Sequence, residues 1–203
     1  MVDAGQIVSL HQRATLLWHQ NPAAEAVDPA CDPAGWLARV ALQHHANFDL
    51  WHIEDEARAP GATDHDLAEV KRRIDRTNQQ RNDLVETLDL ALLEWLDANS
   101  PMDAAAPLHS ETPGLMIDRL SILSLKIHHT GEELVRSDAA SAHIERNRLR
   151  LGILTEQRTD LAACLDELWS QVMAGQRRFK LYRQLKMYND PALNPAIYRA
   201  AGK

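Results

Sequence analysis

Apolar residues recur every three or four positions along most of the chain, which is the spacing of one face of an α-helix. The longest run predicts a long helix that ends near Gly175, and its members are Leu151, Leu154, Arg158, Leu161, Leu165, Leu168 and Val172. An earlier run predicts a first helix that ends near Pro22, because proline cannot continue a helix. Its members are Ile7, Leu10, Ala14 and Leu17. All periodic segments have the helical period, so the pattern predicts an all-α protein.

Capping signals predict further helices between these two runs. Asp32 followed by Pro33 predicts the start of a second helix, because a carboxylate caps free N–H groups and proline tolerates the first turn. This helix should end near Arg58. Thr63 with Asp66 three residues later resembles a capping box and predicts a third helix that reaches about residue 98.

A Thr-Pro pair at residues 112–113 repeats the capping signal and predicts a fourth helix to about residue 136. The prolines and asparagines of residues 189–195 predict an irregular ending. The expected architecture is therefore one bundle of about five main helices followed by an irregular tail. A length of 203 residues fits a single domain, and 5% aromatic residues with few Val and Ile favour helix over sheet.

Charge divides the chain into an acidic body and a basic tail. Residues 176–203 hold seven basic residues and one acidic residue, whereas residues 1–175 hold 15 basic and 28 acidic residues. The acidic body argues against a nucleic-acid partner. The tail cations Arg177, Arg178, Lys180, Arg183 and Lys186 have two open interpretations. They form a solvated face that docks on the acidic body, or they form a phosphate or protein-partner site.

Cysteine usage and the lack of long apolar runs indicate in which cellular compartment the protein resides. Cys31 and Cys164 are far apart and lack a metal-ligand spacing, so neither a disulfide framework nor a zinc motif is expected. The amino terminus lacks the features of a secretion signal, and no 18-residue apolar run occurs. We therefore expect a cytoplasmic protein without a membrane span.

Polar residues interrupt the apolar seam of the third predicted helix. The seam comprises Ile74, Asn78, Arg81, Val85, Leu88, Leu92 and Trp95. Asp75, Gln79, Asn82 and Glu86 form the next stripe round the same helix. A buried arginine without a partner is very costly, so carboxylates or a ligand must meet Arg81.

The second and fourth predicted helices carry matching polar stripes. Asn47, Trp51, Glu54 and Arg58 share one face of the second helix, with Asp55 alongside. The fourth helix has two neighbouring stripes, formed by Asp118, Ile122, Leu125 and His129 and by Arg119, Lys126 and Glu133. The stripes predict either a ligand or active-site pocket among three helices, or a buried salt-bridge network that fixes helix register.

A metal site is the weaker interpretation of the histidines. His45, Asp49, His52 and Glu56 recur on one face of the second helix, but this spacing is generic. Neither the paired Glu-x-x-His of di-iron bundles nor His-Glu-x-x-His occurs. We therefore expect no metal and no cofactor, with His45, Asp49, His52 and His129 as the candidates should a metal be found. His44, His45 and His65 are expected to be exposed and without function.

Several long strings resemble a bacterial family known only as domain of unknown function 4254. They are NFDLWHIEDEAR at 47–58, KRRIDRTNQQRNDLVE at 71–86, SETPGLMIDRLSILSLKIHH at 110–129 and KMYNDPALNPAIY at 186–198. The family has no assigned reaction, and its genes are often reported near those of glycosyltransferases. The resemblance marks most of the polar stripes as motif positions, together with Glu111. His128 departs from the motif, which often has tyrosine there, so no role is expected for it.

Together these observations lead to a hypothesis of a polar pocket among the second, third and fourth helices that binds a sugar phosphate or nucleotide sugar. The cations Arg58, Lys71, Arg81, Arg119 and Lys126 would hold phosphate. The amides Asn78, Gln79 and Asn82 would bind hydroxyls, and Glu54, Asp55, Asp118 or His129 would supply acid–base capacity if chemistry occurs. Asn47, Trp51, Asp75 and Glu86 complete the expected ligand-binding set.

Two other hypotheses stay open on the sequence. The first is a non-enzymatic accessory protein that docks on a glycosyltransferase or scaffold through the basic tail, with a purely structural polar core. The second is a metal-dependent helical-bundle enzyme. Whether the protein is an enzyme at all is undecided at this stage.

Overall fold

The computed structural model describes residues 2–32, 34–185, 192–195 and 199, which form five α-helices. These are α1 (Ala4–Gln20), α2 (Trp36–Glu56), α3 (Asp64–Asn99), α4 (Pro113–Val135) and α5 (Ser141–Met173), with a 3-10 turn at Pro29–Cys31. Within the described residues there is no β-strand, only one isolated bridge between Leu108 and Arg178. The predicted all-α bundle of five main helices is confirmed.

Two of the predicted helix starts are confirmed by their caps. The Thr63 hydroxyl accepts from the N–H of Asp66, and the Asp66 carboxylate accepts from the N–H of Thr63, so both halves of a capping box are present. Thr112 caps α4 through the N–H of Leu115, with Pro113 in the first turn.

The predicted start of α2 is wrong by three residues, because the helix begins at Trp36 and not at Pro33. Asp32 nevertheless provides the cap, since its carboxylate accepts from Trp36 N at 3.0 Å and from Ala38 N at 2.8 Å. Gly35 precedes the helix with a φ of +66°, a left-handed conformation that glycine adopts without strain. A residue in the left-handed conformation therefore lies between Asp32 and the helix that Asp32 caps.

The core lies where α3, α4 and α5 meet the first halves of α1 and α2. Leu92, Ile117 and Leu165 are fully buried there, and Ile7 of α1 packs into the same cluster. Along the α3 seam, Val85, Leu88 and Leu92 are buried as predicted. Ile74, Asn78, Arg81 and Trp95 are only half-buried, which departs from the predicted fully buried seam. The first half of α3 therefore lies at the edge of the bundle.

The segment after α5 returns along the bundle. Phe179 is buried in the core, and the backbone of Arg178 bonds to Pro107 O at 3.1 Å and to His109 N at 2.8 Å. Further along, Gln184 N donates to the Glu86 carboxylate at 2.8 Å. Lys186, the irregular ending predicted for residues 189–191 and most of the motif string at 186–198 lie outside the described residues.

Candidate functional site

Asp118 is the centre of a buried polar network that joins α2, α3 and α4. Its Oδ1 accepts from Gln43 Nε2 at 2.6 Å, from Asn47 Nδ2 at 2.9 Å and from Arg81 Nε at 2.7 Å. Its Oδ2 accepts from Arg81 Nη2. The carboxylate side chain is only 7% exposed, and that of Arg81 is 22% exposed. The seam position of Arg81 required a carboxylate or a ligand as partner, and Asp118 is that partner.

The network continues from Asn47 into α1 with a defined direction of proton donation. Asn47 Nδ2 donates to Ser121 Oγ at 2.9 Å, and Ser121 Oγ lies 2.7 Å from His44 Nδ1. His44 Nε2 lies 3.0 Å from the carbonyl oxygen of His11, which can only accept. Nε2 therefore carries the proton, and Nδ1 accepts from the Ser121 hydroxyl.

His44 is fully buried and His45 is half-buried, so their expected exposure is wrong, whereas His65 is exposed as expected. The cause is that α2 contacts α1, α3 and α4, and it therefore has buried residues on more than one side. Burial lowers the pKa of His44 to about 3. A sequence pattern that looks for a single apolar stripe cannot identify the buried residues on the other sides of such a helix.

A cleft of about 410 Å³ lies between α2, α3 and α4, next to this network. It is lined by Asn47, Leu50, Trp51, Glu54, Asp55, Arg58, Arg81, Ile122 and Leu125. Six of these were expected from the sequence, namely Asn47, Trp51, Glu54, Asp55, Arg58 and Arg81. Leu50, Ile122 and Leu125 add an apolar part of the wall. Ile122 and Leu125 lie on the α4 stripe that the sequence identified, whereas Leu50 was not expected at the site.

The charges that line the cleft differ in how firmly they are held. Arg58 Nη1 donates to Glu54 Oε2 at 2.9 Å, but both side chains are well exposed, so this pair contributes little to stability. Arg81 is fixed by the buried carboxylate of Asp118 behind it. The cleft therefore has one cation held by a buried carboxylate and one held only by an exposed ion pair.

Two further clefts adjoin the first along α4. The second, of about 690 Å³, is lined by Arg119, Lys126, Glu111 and residues of α5, and it shares Ile122 with the first. The third, of about 550 Å³, is lined by Lys126, His129 and residues of α5, and it shares Trp51 with the first. Arg119, Lys126 and His129 are thus near the first cleft but line its neighbours.

The remaining expected residues of α3 do not line any of these three clefts. They are Lys71, Asp75, Asn78, Gln79, Asn82 and Glu86. Lys71 pairs with Asp75 on the surface, and Gln79 donates to Asp83 at 2.8 Å. Glu86 contacts the tail, since Arg183 lies 3.7 Å from its carboxylate. Lys71, Asp75, Gln79 and Glu86 thus pair with other side chains of the protein.

Histidines from three helices meet beside the third cleft, where His129 stacks on Trp51 with 4.6 Å between ring centroids. His19 of α1 and His52 of α2 complete a group whose ring nitrogens lie close enough to hold a metal ion. The set suggested by the spacing on α2 does not form, because His45 pairs with Asp49 and Glu56 pairs with Arg73. The sequence analysis missed His19 because the spacing of residues on one helix carries no signal for neighbours on another.

The comparisons with known proteins identify one family. Residues 37–181 match the family described as "Protein of unknown function (DUF4254)", a span that includes all lining residues of the three clefts. No curated protein and no solved structure matches the chain. None of the described helices combines the length and apolar character needed to cross a membrane. Because the match covers well over half of the chain, the protein belongs to the DUF4254 family.

Proposed function

We propose that the cleft between α2, α3 and α4 binds a phosphorylated sugar or nucleotide sugar, in the biosynthesis of a glycan or a glycosylated metabolite. One observation supports this above all: Arg81, fixed by Asp118, lines the same cleft as Trp51 and the carboxylates of Glu54 and Asp55. A fixed guanidinium, an aromatic ring and carboxylates are the groups that bind phosphate, a sugar ring and hydroxyls respectively.

Arg81 and Arg58 are the phosphate ligands in this proposal. Asp118 engages Nε and Nη2 of Arg81, while Nη1 makes only a long contact of 3.5 Å with Asn78 Oδ1. Nη1 is therefore available to a ligand oxygen. The exposed pair between Arg58 and Glu54 is worth at most about 1 kcal/mol, so a phosphate can displace it at small cost.

The sugar lies against Trp51 in this proposal, and its hydroxyls bond to the carboxylates of Glu54 and Asp55. These carboxylates, which are accessible in the cleft, are also the candidates for acid–base chemistry if the bound ligand reacts. Asp118 is a positioning residue and not a base, because its two oxygens already accept from Gln43, Asn47 and Arg81.

The test measures binding of glucose 1-phosphate and UDP-glucose by thermal shift, with glucose and inorganic phosphate as partial ligands. A compound at 100 times its Kd should stabilise the protein by about 2.7 kcal/mol and raise its Tm. Arg58→Met should weaken binding of the phosphorylated compounds. Lys71→Met is the matched control, since the two side chains are 68% and 66% exposed and each pairs with a carboxylate four residues away. The Lys71 variant should bind like the wild type.

The proposal fails if no phosphorylated sugar shifts the wild type, or if Arg58→Met and Lys71→Met have the same effect. Trp51→Ala provides a second readout, because loss of the ring should weaken binding of the sugar compounds and leave binding of inorganic phosphate unaffected.

We also propose that the protein resides in a reducing compartment such as the cytoplasm, since Cys31 and Cys164 are free and exposed. The rival accessory function through the tail has less support, because Arg183 already contacts Glu86 of the same chain.

A further inference from the structure

Four histidines gather near the carboxyl ends of α1, α2 and α4. The ring centroid of His19 lies 4.5 Å from that of His128 and 5.2 Å from those of His52 and His129. The rings of His52 and His129 are 5.8 Å apart. Imidazole rings at these distances repel one another when protonated. The four rings must therefore be neutral or share a ligand.

Three of these rings are oriented by hydrogen bonds at Nδ1. His19 Nδ1 lies 2.7 Å from Thr15 O, and His52 Nδ1 lies 2.8 Å from Phe48 O. Both carbonyl oxygens can only accept, so Nδ1 carries the proton in each ring. His129 Nδ1 lies 2.8 Å from the Glu132 carboxylate, which fixes the same tautomer. Metal-binding histidines have this arrangement, in which the second nitrogen donates to a carbonyl or carboxylate.

The opposite nitrogen of each ring is Nε2, which has a lone pair in this tautomer. One ring nitrogen from each of His19, His52 and His129 lies within 4.8 Å of the others. His129 Nε2 is buried and has no hydrogen-bond partner among the described residues. A buried nitrogen without a partner costs free energy, and a cation between the rings would remove that cost.

We propose that His19, His52 and His129 bind a divalent transition-metal cation such as Zn²⁺ through their Nε2 atoms. Imidazole ligands at about 2.0–2.1 Å from a tetrahedral zinc lie about 3.3 Å from one another, so closure requires side-chain movements of an ångström or so. Three protein ligands leave the fourth position to water or to an oxygen of an incoming ligand, as in catalytic zinc sites.

The surroundings leave this group of histidines open to a cation. His19 is exposed at the edge of the group, which gives the cation a route from solvent. The alternative set of His128, His129 and Glu132 is less suitable, because Glu132 already accepts from His129 Nδ1.

His129 stacks on Trp51 of the proposed sugar site, but the test of zinc binding needs no sugar. The full chain, without an affinity tag and stripped with EDTA, is titrated with ZnCl₂ by calorimetry and with CoCl₂ by visible spectroscopy. One Zn²⁺ per chain should bind with a Kd in the micromolar range or below. The cobalt form should show the intense visible absorption of a tetrahedral complex.

The variant that identifies the ligands is His19→Gln, because its exposed side chain can be changed without disturbing the core. Loss of one ligand should weaken zinc binding by more than the roughly 10–100-fold caused by loss of an outer-shell partner. The matched control is His45→Gln, a half-buried histidine of α2 that pairs with Asp49. It should bind zinc like the wild type, and circular dichroism should show both variants folded.

Two results would overturn the proposal. One is a wild-type chain that binds no stoichiometric zinc under these conditions. The other is a His19→Gln variant as tight as the wild type, or a His45→Gln variant as weak as His19→Gln, since either would place the cation elsewhere. His52→Gln provides an independent check of the same ligand set.

Discussion

Arg81 of α3 and Asp118 of α4 form a bidentate ion pair, in which Arg81 Nε lies 2.7 Å from Asp118 Oδ1 and Nη2 donates to Oδ2. The pair joins two helices at the wall of the candidate cleft. Its carboxylate side is buried and its guanidinium side reaches the cleft. One interaction therefore both fixes helix register and orients a cation toward a ligand.

Replacing Arg81 by Met should destabilise the fold by roughly 3–5 kcal/mol, because it leaves the buried Asp118 carboxylate without its cation. Urea denaturation measures the change. Arg58→Met is the control, an exposed ion pair whose loss should cost less than about 1 kcal/mol. Adding Asp118→Asn to Arg81→Met should recover part of the loss. A single Arg81→Met variant as stable as the control would show that the pair does not fasten the helices.

Stability should fall as the pH is lowered, because burial lowers the pKa of His44 to about 3, against an ordinary value of 6.5. Between these pH values the unfolded chain binds a proton that the folded chain does not, so acid favours unfolding. The loss attributable to His44 between pH 6.5 and pH 5 should be about 2 kcal/mol. The fully buried His11, whose pKa is also lowered by burial, adds to the same trend.

His44→Gln should reduce this pH dependence, since glutamine keeps one donor and one acceptor but does not titrate. Urea denaturation at several pH values compares the slope of stability with that of the wild type. His65→Gln, an exposed histidine of α3, should leave the slope unchanged. Equal slopes for the wild type and His44→Gln would contradict the buried neutral state of His44.

Asp89 should make the opposite contribution to the pH dependence of stability. Burial raises its pKa from 3.8 to about 6, although bonds from Thr112 and Gly114 lower it. The folded chain therefore binds more protons between these pH values, so this contribution to stability declines as the pH rises. As the pH rises from 4 to 7, the free energy of unfolding of Asp89→Asn should increase by roughly 2–3 kcal/mol relative to that of the wild type. The exposed Asp97→Asn serves as control, and parallel profiles for Asp89→Asn and the wild type would reject the prediction.

Gly114→Ala should destabilise the contact between α3 and α4. A Cβ there would lie 2.8 Å from both Val85 O and Asp89 Oδ1, so the backbone of one helix must move. Overpacking of this kind costs about 1–3 kcal/mol. Gly131→Ala on the same helix meets nothing within 4 Å and should stabilise by about 0.5–1 kcal/mol. In thermal denaturation, the Tm of Gly114→Ala should fall and that of Gly131→Ala should rise.

Features that depend on neighbours in sequence were predictable. The capping box of Thr63 and Asp66 joins residues three apart, so its signature can be read from the local sequence. The Thr112 cap and the apolar period of α5 are local in the same sense. The α2 start was missed because Gly35 inserts a left-handed turn before the helix, and nothing in the local pattern distinguishes that turn from the first turn of a helix.

The candidate site was predictable only in part, because polar residues in an apolar seam show that partners exist without identifying them. The seam position of Arg81 implied a carboxylate or a ligand as partner, and packing of α4 beside α3 selected Asp118. Packing on several sides also decided the burial of His44. The meeting of His19, His52 and His129 depends on how three helices are rotated and shifted against one another. Those rotations are set by side-chain packing across the whole bundle, which no single helix encodes.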